Sequence, residues 1–163
     1  MKLIRFFISP DHNYFGHHGK PAGEHEAMEP DEICCVAGRG LQGDRFFDHK
    51  DNYKGQITFF ADEVYSDLRQ RFKITGKPAS VFRRNVLTRG SDLNSLVGQE
   101  FEVQGVKFMG VEECKPCYWM DQAFGPGTED AMKGRGGLRA RILTDGILRL
   151  DESADEIVSD PPL

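Results

Sequence analysis

The sequence predicts a mainly β fold of the barrel type, with one longer helix and a few short ones. Its apolar residues fall into short segments that are spread evenly along the chain and separated by turn residues. Eighteen glycines and eight prolines favour short strands joined by tight turns over a helix bundle. Twelve phenylalanines against one tryptophan indicate a core of aromatic strand residues. Strands do not alternate with helices, which argues against a βαβ fold.

The first half of the chain is predicted to hold four strands and the longer helix. The strands are apolar runs bounded by Gly, Pro or polar residues, at 2–8, 33–37, 56–60 and 84–88. Residues 61–73 place Val64, Leu68 and Phe72 at helical spacing. Acids near the start of this segment and bases near its end suit the helix dipole. We therefore expect one amphipathic helix on the outside of the barrel.

The second half is predicted to hold two hairpins with two short helices between them. The segments are a hairpin at 101–104 and 106–111, helices at 118–124 and 128–134, and a hairpin at 138–144 and 147–150. Gly105 divides the first hairpin. Asp145-Gly146 divides the second, and this dipeptide is a strong signal for the tight turn of a hairpin.

The length of 163 residues suits a single domain with its own core. We expect one domain over 1–163, with its core at about 33–150, a His/Gly/Pro-rich loop at 9–32 and an acidic tail at 151–163. No apolar run approaches the ~20 residues of a membrane helix. The N-terminus has no small-residue cleavage site after its apolar stretch. The sequence thus predicts a cytoplasmic protein with no membrane partner.

Basic residues are concentrated in two segments, although the formal net charge is −5. Residues 67–90 and 133–149 are rich in Arg and Lys, whereas the compensating acids lie at 24–32 and 151–160. These basic segments predict either a pocket for an anionic ligand or solvated surface positions. For the basic residues of the predicted helix at 61–73, the solvated interpretation is favoured. The acidic pI of about 5.5 argues against a nucleic-acid polymer as partner.

The four cysteines form two pairs of different character. Cys34 and Cys35 are adjacent on a predicted strand and point to opposite faces, so we interpret them as structural thiols. Cys114-Lys-Pro-Cys117 fits disulfide redox chemistry, a zinc site, or one reactive thiolate that binds a soft metal or carries sulfur. Zinc is the least supported of the three, because the chain offers few further ligands. We expect Cys114, which follows two glutamates, to be the less reactive thiol of this pair.

Glycine-rich turns place other polar residues. Residues 38–43 match G-x-G-x-x-G, but no helix follows to receive a pyrophosphate, so a dinucleotide site is rejected. The turn is instead expected to place Asp44 and Arg45.

A second glycine turn, at 134–137, is open to two interpretations. It is either an anion cradle, formed by backbone amides with Arg135 and Arg139, or a plain turn into a strand. The pair His17-His18 in the loop is a weaker candidate for binding a metal or an anion.

Taken together, these segments resemble the MOSC domain family, named for the C-terminal domain of molybdenum-cofactor sulfurases. The matching stretches are GLQGDR at 40–45, QITFF at 56–60, FRRNVLTRGSDLNSLVGQEFEV at 82–103, ECKPC at 113–117 and GRGGLRARILTDGILRL at 134–150. The resemblance implies a β-barrel similar to the barrel domain of pyruvate kinase. The chain looks like the small standalone bacterial type of this family.

The resemblance also implies a site and a cofactor. Cys117, the cysteine after Pro116, would ligate the molybdenum of the pyranopterin cofactor or carry a persulfide sulfur. The implied cofactor-binding residues are Arg45, Arg83, Asn85, Thr88, Arg135 and Arg139. We expect Arg45, Arg83 and Asn85 to meet Cys117 in one pocket.

Three functions remain open on the sequence alone. The first is a molybdenum enzyme that reduces small N-hydroxylated compounds, with electrons from a donor protein. The second is a sulfur or cofactor carrier that uses a Cys117 persulfide supplied by a sulfur donor. The third is a C-x-x-C thiol redox protein.

Overall fold

A computed structural model describes residues 1–12, 23 and 27–151. The His17-His18 pair and most of the acidic tail lie outside these described residues. Strands and helices follow one another along the chain as β1 (Lys2–Phe6), β2 (Glu32–Val36), β3 (Gly40–Leu41), β4 (Ile57–Ala61), α1 (Asp62–Phe72), β5 (Val86–Arg89), β6 (Glu100–Val103), β7 (Val106–Glu113), α2 (Trp119–Ala123), α3 (Thr128–Met132), β8 (Leu138–Ile142) and β9 (Gly146–Arg149). Short 3₁₀ helices cover Ala79–Phe82 and Leu93–Leu96.

Two sheets form a barrel-like fold, as the sequence predicts. Six strands pair in the order β1-β5-β4-β8-β7-β6, and three pair in the order β3-β2-β9. All pairings are antiparallel except β4 with β5. Both sheets contribute to one interior cluster, which includes Phe6, Cys35, Phe59, Phe108 and Leu148.

Strand alternation divides the apolar residues between the barrel interior and an outer layer. Phe59 belongs to the interior cluster, whereas its neighbour Phe60 packs in a second cluster with Leu68 of α1 and Phe82. Successive strand residues point to opposite faces, so a run of apolar residues indicates a strand covered on both sides. The helix α1 therefore packs on the outside of the barrel. No helix within the described residues is both long and apolar enough to cross a membrane.

The predicted hairpin around Asp145-Gly146 is wrong. β8 pairs with β4 on one side and β7 on the other, so both of its edges are occupied. β9 pairs instead with β2 in the smaller sheet. Asp145 lies in the connection between β8 and β9, and its carboxylate accepts a hydrogen bond from the Ala37 amide, just after β2, at 2.7 Å. The hairpin of β6 and β7 is present as predicted.

Candidate functional site

A cavity of about 480 Å³ opens beside the barrel where the segment after β7 meets the start of α2. Five cationic side chains line it: Arg45, Arg83, Arg84, Lys115 and Arg139. Among the described lining residues there is no aspartate or glutamate. Both cysteines of the C-x-x-C segment also line the cavity. The combination of guanidinium groups, thiols and missing carboxylates favours an anionic ligand.

Arg45 is a largely buried cation of the cavity. Its side chain is only 10% exposed, and the turn at 38–43 places it beside Asp44, with 3.2 Å between the ionic atoms. Burial lowers the pKa of Arg45, although the Asp44 carboxylate acts in the opposite direction. Its guanidinium also lies over the Phe46 ring, 4.7 Å from the ring centroid. A bound anion would offset the cost of keeping this charge out of water.

Arg83 and Asn85 lie in the same cavity, but their polar groups also hold its walls. Arg83 donates from Nη2 to Ser9 Oγ at 2.6 Å and to the Asp11 carbonyl at 2.9 Å. Asn85 accepts through Oδ1 from both the amide and the hydroxyl of Thr58, each at 3.0 Å. Some hydrogen-bonding groups of Arg83 and Asn85 are therefore used to join segments of the fold, and fewer of them are available to a ligand.

Arg84, which the sequence analysis did not select, braces three parts of the cavity wall. Its guanidinium donates to the carbonyls of Phe82, Cys114 and Gly136, at 3.0, 3.1 and 3.0 Å. One side chain thus ties the 3₁₀ turn, the C-x-x-C segment and the glycine turn together. The signal in the sequence was its position between the two selected residues Arg83 and Asn85.

Cys114 and Cys117 differ in exposure. Cys114 is 5% exposed, whereas Cys117 is an exposed thiol at the mouth of the cavity. Both are free thiols in this structure.

Arg139 is the cationic neighbour of Cys114, and it also pairs with Glu112, with 3.4 Å between the ionic atoms. Glu112 pairs with Lys54 at 2.7 Å, and Glu113 accepts a hydrogen bond from the Gly136 amide at 3.1 Å. Burial lowers the pKa of Arg139, but the Cys114 sulfur, which accepts its hydrogen bond, raises that pKa above its ordinary value. The deep end of the cavity therefore holds a thiol beside a guanidinium.

Thr88 and Arg135 do not reach this cavity. The buried Thr88 hydroxyl donates to the Phe60 carbonyl, near the opposite end of β5 from Asn85. Arg135 pairs with Asp67 of α1 at 2.7 Å and lines a separate hollow. Thr88 and Arg135, which were also expected to bind the cofactor, therefore lie outside the cavity.

The glycine turn at 134–137 serves close packing rather than an open cradle. A Cβ on Gly136 would lie 2.3 Å from the Cys114 carbonyl oxygen, and one on Gly137 would lie 2.3 Å from that of Phe59. Side chains at these positions would push the C-x-x-C segment and β4 away. The plain-turn interpretation is therefore the better one.

His12, which precedes the His17-His18 pair in the sequence, also lines the cavity. Its ring packs edge-to-face on Phe46, with 5.0 Å between centroids. Burial and the charge of Arg45 lower the pKa of His12, while Asp11 acts in the opposite direction. The lowered pKa favours the neutral imidazole at pH 7.

The sequence matches the family model of the MOSC domain over residues 17–155. The chain belongs to the MOSC domain family. Among curated proteins, none matches it. The family is associated with the molybdenum cofactor. The predicted resemblance is thereby confirmed.

Solved structures of similar fold include three bacterial proteins. The YuaD protein of Bacillus subtilis aligns with a TM-score of 0.70 and 16% identity, over 91% of each chain. YiiM of Escherichia coli gives a TM-score of 0.64 at 18% identity, over 93% of this MOSC chain and 67% of its own. YiiM of Geobacillus stearothermophilus gives 0.64 at 12% identity, over 91% and 70% respectively. Identities this low support the fold alone.

Proposed function

We propose that this MOSC protein binds the molybdenum cofactor in the arginine-lined cavity and reduces small N-hydroxylated compounds there. The observation that carries the proposal is the cavity itself, in which an exposed Cys117 stands among cationic residues without a lining carboxylate. A thiolate is a suitable ligand for a soft metal centre. Guanidinium groups are suited to a phosphate in bidentate geometry.

The residues present fit such a group in both charge and position. Arg45 and Arg139 lie at the buried end and are suited to hold an anionic phosphate. Cys117 lies at the mouth, where its sulfur is accessible to a metal and to a substrate. When bound, the cofactor would supply two-electron redox chemistry.

The chain's own residues would position the reactants and supply a proton. Arg84 fixes the Cys114 carbonyl and so holds the segment that presents Cys117. Reduction of an N–OH group to N–H consumes two electrons and two protons and releases water. The electrons would come from a separate donor, and His12, which lines the cavity, would relay a proton from solvent to the departing oxygen.

A second candidate function is a carrier of sulfur on a Cys117 persulfide. The exposure of Cys117 favours it, since a sulfur donor must reach the thiol directly. In this case the protein would gain the mass of one sulfur atom at Cys117 and hold no molybdenum.

Reduction of benzamidoxime by protein from cells that make the cofactor tests the first candidate. Electrons are supplied by a chemically reduced viologen. We expect Cys117→Ser to abolish activity, whereas Cys114→Ser spares most of it. Cys34→Ser is the matched control, because that thiol lies on β2 and does not line the cavity.

Full activity of Cys117→Ser would contradict the proposal. Loss of activity in Cys114→Ser alone would show that Cys117 is not the functional cysteine. A sulfur adduct on metal-free, inactive protein would favour the carrier.

A further inference from the structure

The backbone at His12 is anchored to Arg83. The Asp11 carbonyl accepts a hydrogen bond from Arg83 Nη2 at 2.9 Å, and the Asp11 carboxylate accepts one from the His12 amide at 2.7 Å. His12 and Arg83 both line the cavity. The imidazole of His12 therefore belongs to the same part of the cavity wall as Arg83.

The ring of Phe46 joins His12 to a second arginine. The imidazole packs edge-to-face on this ring, with 5.0 Å between centroids, and the Arg45 guanidinium lies over the same ring, 4.7 Å from its centroid. Arg45 also donates to the Arg83 carbonyl at 3.3 Å. Two guanidinium groups and one titratable imidazole thus converge on one wall of the cavity.

The charged and titratable groups that face His12 are Asp11, Arg45, Arg83 and His49. Burial, followed by the charge of Arg45, lowers the pKa of His12, and His49 and Arg83 act in the same direction, whereas Asp11 opposes them. Three of the four neighbours therefore disfavour the imidazolium. An anion bound beside the two arginines would reverse the sign of this local charge.

We infer that His12 is a further anion-binding residue of this cavity, which binds in its protonated form, so that the cavity takes up a proton together with its anion. The inference rests on the proposed function for the presence of a dianionic group, such as a phosphate, beside Arg45 and Arg83. That group offsets the two guanidinium charges and adds its own attraction for the imidazolium.

The direction of the pH dependence follows from this linkage. With the anion bound, the pKa of His12 is higher than without it, so binding takes up protons at any pH between the two values. Proton and anion then favour each other's binding by the same factor. The affinity for the anion therefore rises as the pH falls through this window, and it is constant at higher pH.

Binding of sulfate tests the inference, because sulfate keeps two negative charges across about pH 5.5–7.5, the range in which histidine titrates. Isothermal titration calorimetry gives its Kd for the full chain, purified from cells that do not make the cofactor. We expect the Kd of the wild type to fall at least about fivefold across this range, the lower end of coupling between linked sites. Titrations in two buffers of different ionisation enthalpy should show that protons are taken up with sulfate.

Two variants assign the effect to one imidazole. His12→Gln keeps a polar side chain that carries no charge, and it should make the Kd independent of pH and abolish the proton uptake. His49→Gln is the matched control, because its ring lies 6.3 Å from that of His12 between centroids but does not line the cavity. This control should retain most of the pH dependence. Thermal unfolding verifies that both variants are folded.

Four results would overturn the inference. They are a wild-type Kd that does not change with pH, no binding of sulfate, a His12→Gln variant with the pH dependence of the wild type, and a His49→Gln variant that loses it.

The proposed function fails separately. Protein loaded with the molybdenum cofactor should no longer bind sulfate, because the phosphate of the cofactor would compete for the same arginines. If loaded protein binds sulfate as tightly as cofactor-free protein, with the same pH dependence, the cavity takes a free anion. In that case the role of His12 stands, and the proposed site of the cofactor is wrong.

Discussion

Single residues of this protein take their properties from neighbours that are remote in sequence. Cys114 follows two glutamates, yet the side chain that hydrogen-bonds its sulfur belongs to Arg139, on β8. Arg84 lies next to a 3₁₀ turn, yet it also holds carbonyls of the C-x-x-C segment and of the glycine turn. Local charge patterns therefore predict the chemistry of a side chain poorly, since folding replaces the sequence neighbours with spatial ones.

Cys35 gives a prediction about stability at alkaline pH. Its side chain is fully buried in the barrel, and burial raises the pKa of this thiol to about 12. An unfolded cysteine has a pKa of about 8.5. The neutral thiol thus contributes stability that is complete below pH 8.5 and is lost as the pH rises towards 12, by up to about 1.4 kcal/mol per pH unit.

We expect the difference in unfolding free energy between the wild type and Cys35→Ala to shrink steadily between pH 8.5 and 10.5. Chemical denaturation at several pH values measures it. Cys34→Ala, on the half-buried outer face of the same strand, is the control. Parallel pH profiles for the wild type and Cys35→Ala would contradict the prediction.

The sequence predicted the helices and strands that depend on a local pattern of residues. It did not predict which strands pair with one another when the partners are distant in the chain. The spacing of apolar residues located α1, and Gly105 located the β6–β7 hairpin to within a few residues. The Asp145-Gly146 signal failed because a tight-turn dipeptide does not reveal that both edges of β8 are already paired. Choice of partner strand depends on the whole barrel, which the local sequence does not contain.

Gly110 tests how tightly these elements pack. A Cβ at this position of β7 would lie 1.9 Å from the backbone carbonyl oxygen of Leu96, so the 3₁₀ turn would have to move. We expect Gly110→Ala to lower the unfolding free energy by about 2 kcal/mol or more, a fall in Tm of roughly 5 °C. Differential scanning calorimetry gives the comparison.

Gly76→Ala is the matched control, because a Cβ there meets no atom within 4 Å and its backbone lies outside the left-handed region. Its Tm should stay within about 1 °C of the wild type, in line with the small effects of surface substitutions. A Gly110→Ala variant as stable as Gly76→Ala would show that the contact between β7 and the turn is not tight.

At the scale of the whole molecule, the barrel brings separated arginines and cysteines to one cavity. Of the expected site residues, Arg45, Arg83, Asn85, Arg139 and Cys117 line it. Two others, Thr88 and Arg135, lie outside it for geometric reasons. Thr88 lies three residues along β5 from Asn85, which is roughly 10 Å of strand, and Arg135 is held by an ion pair to α1.

The sequence did not reveal that aromatic residues line the cavity together, because these residues come from four separate segments of the chain. Phe46 and Tyr53 follow β3, whereas Tyr118 and Trp119 follow the C-x-x-C segment. Nothing in the sequence relates these segments before the barrel is formed. The aromatic part of the site therefore became visible only in three dimensions.

The central claim is that the cavity holds the molybdenum cofactor with Cys117 as the metal ligand. Elemental analysis of anaerobically purified protein, with pterin fluorescence of the released cofactor, tests it most directly. We expect molybdenum and pterin at close to one per chain in the wild type and in Cys34→Ser, and loss of the molybdenum in Cys117→Ser. Wild-type protein from cofactor-producing cells that carries neither molybdenum nor pterin, or a Cys117→Ser variant that keeps both in full, would contradict it.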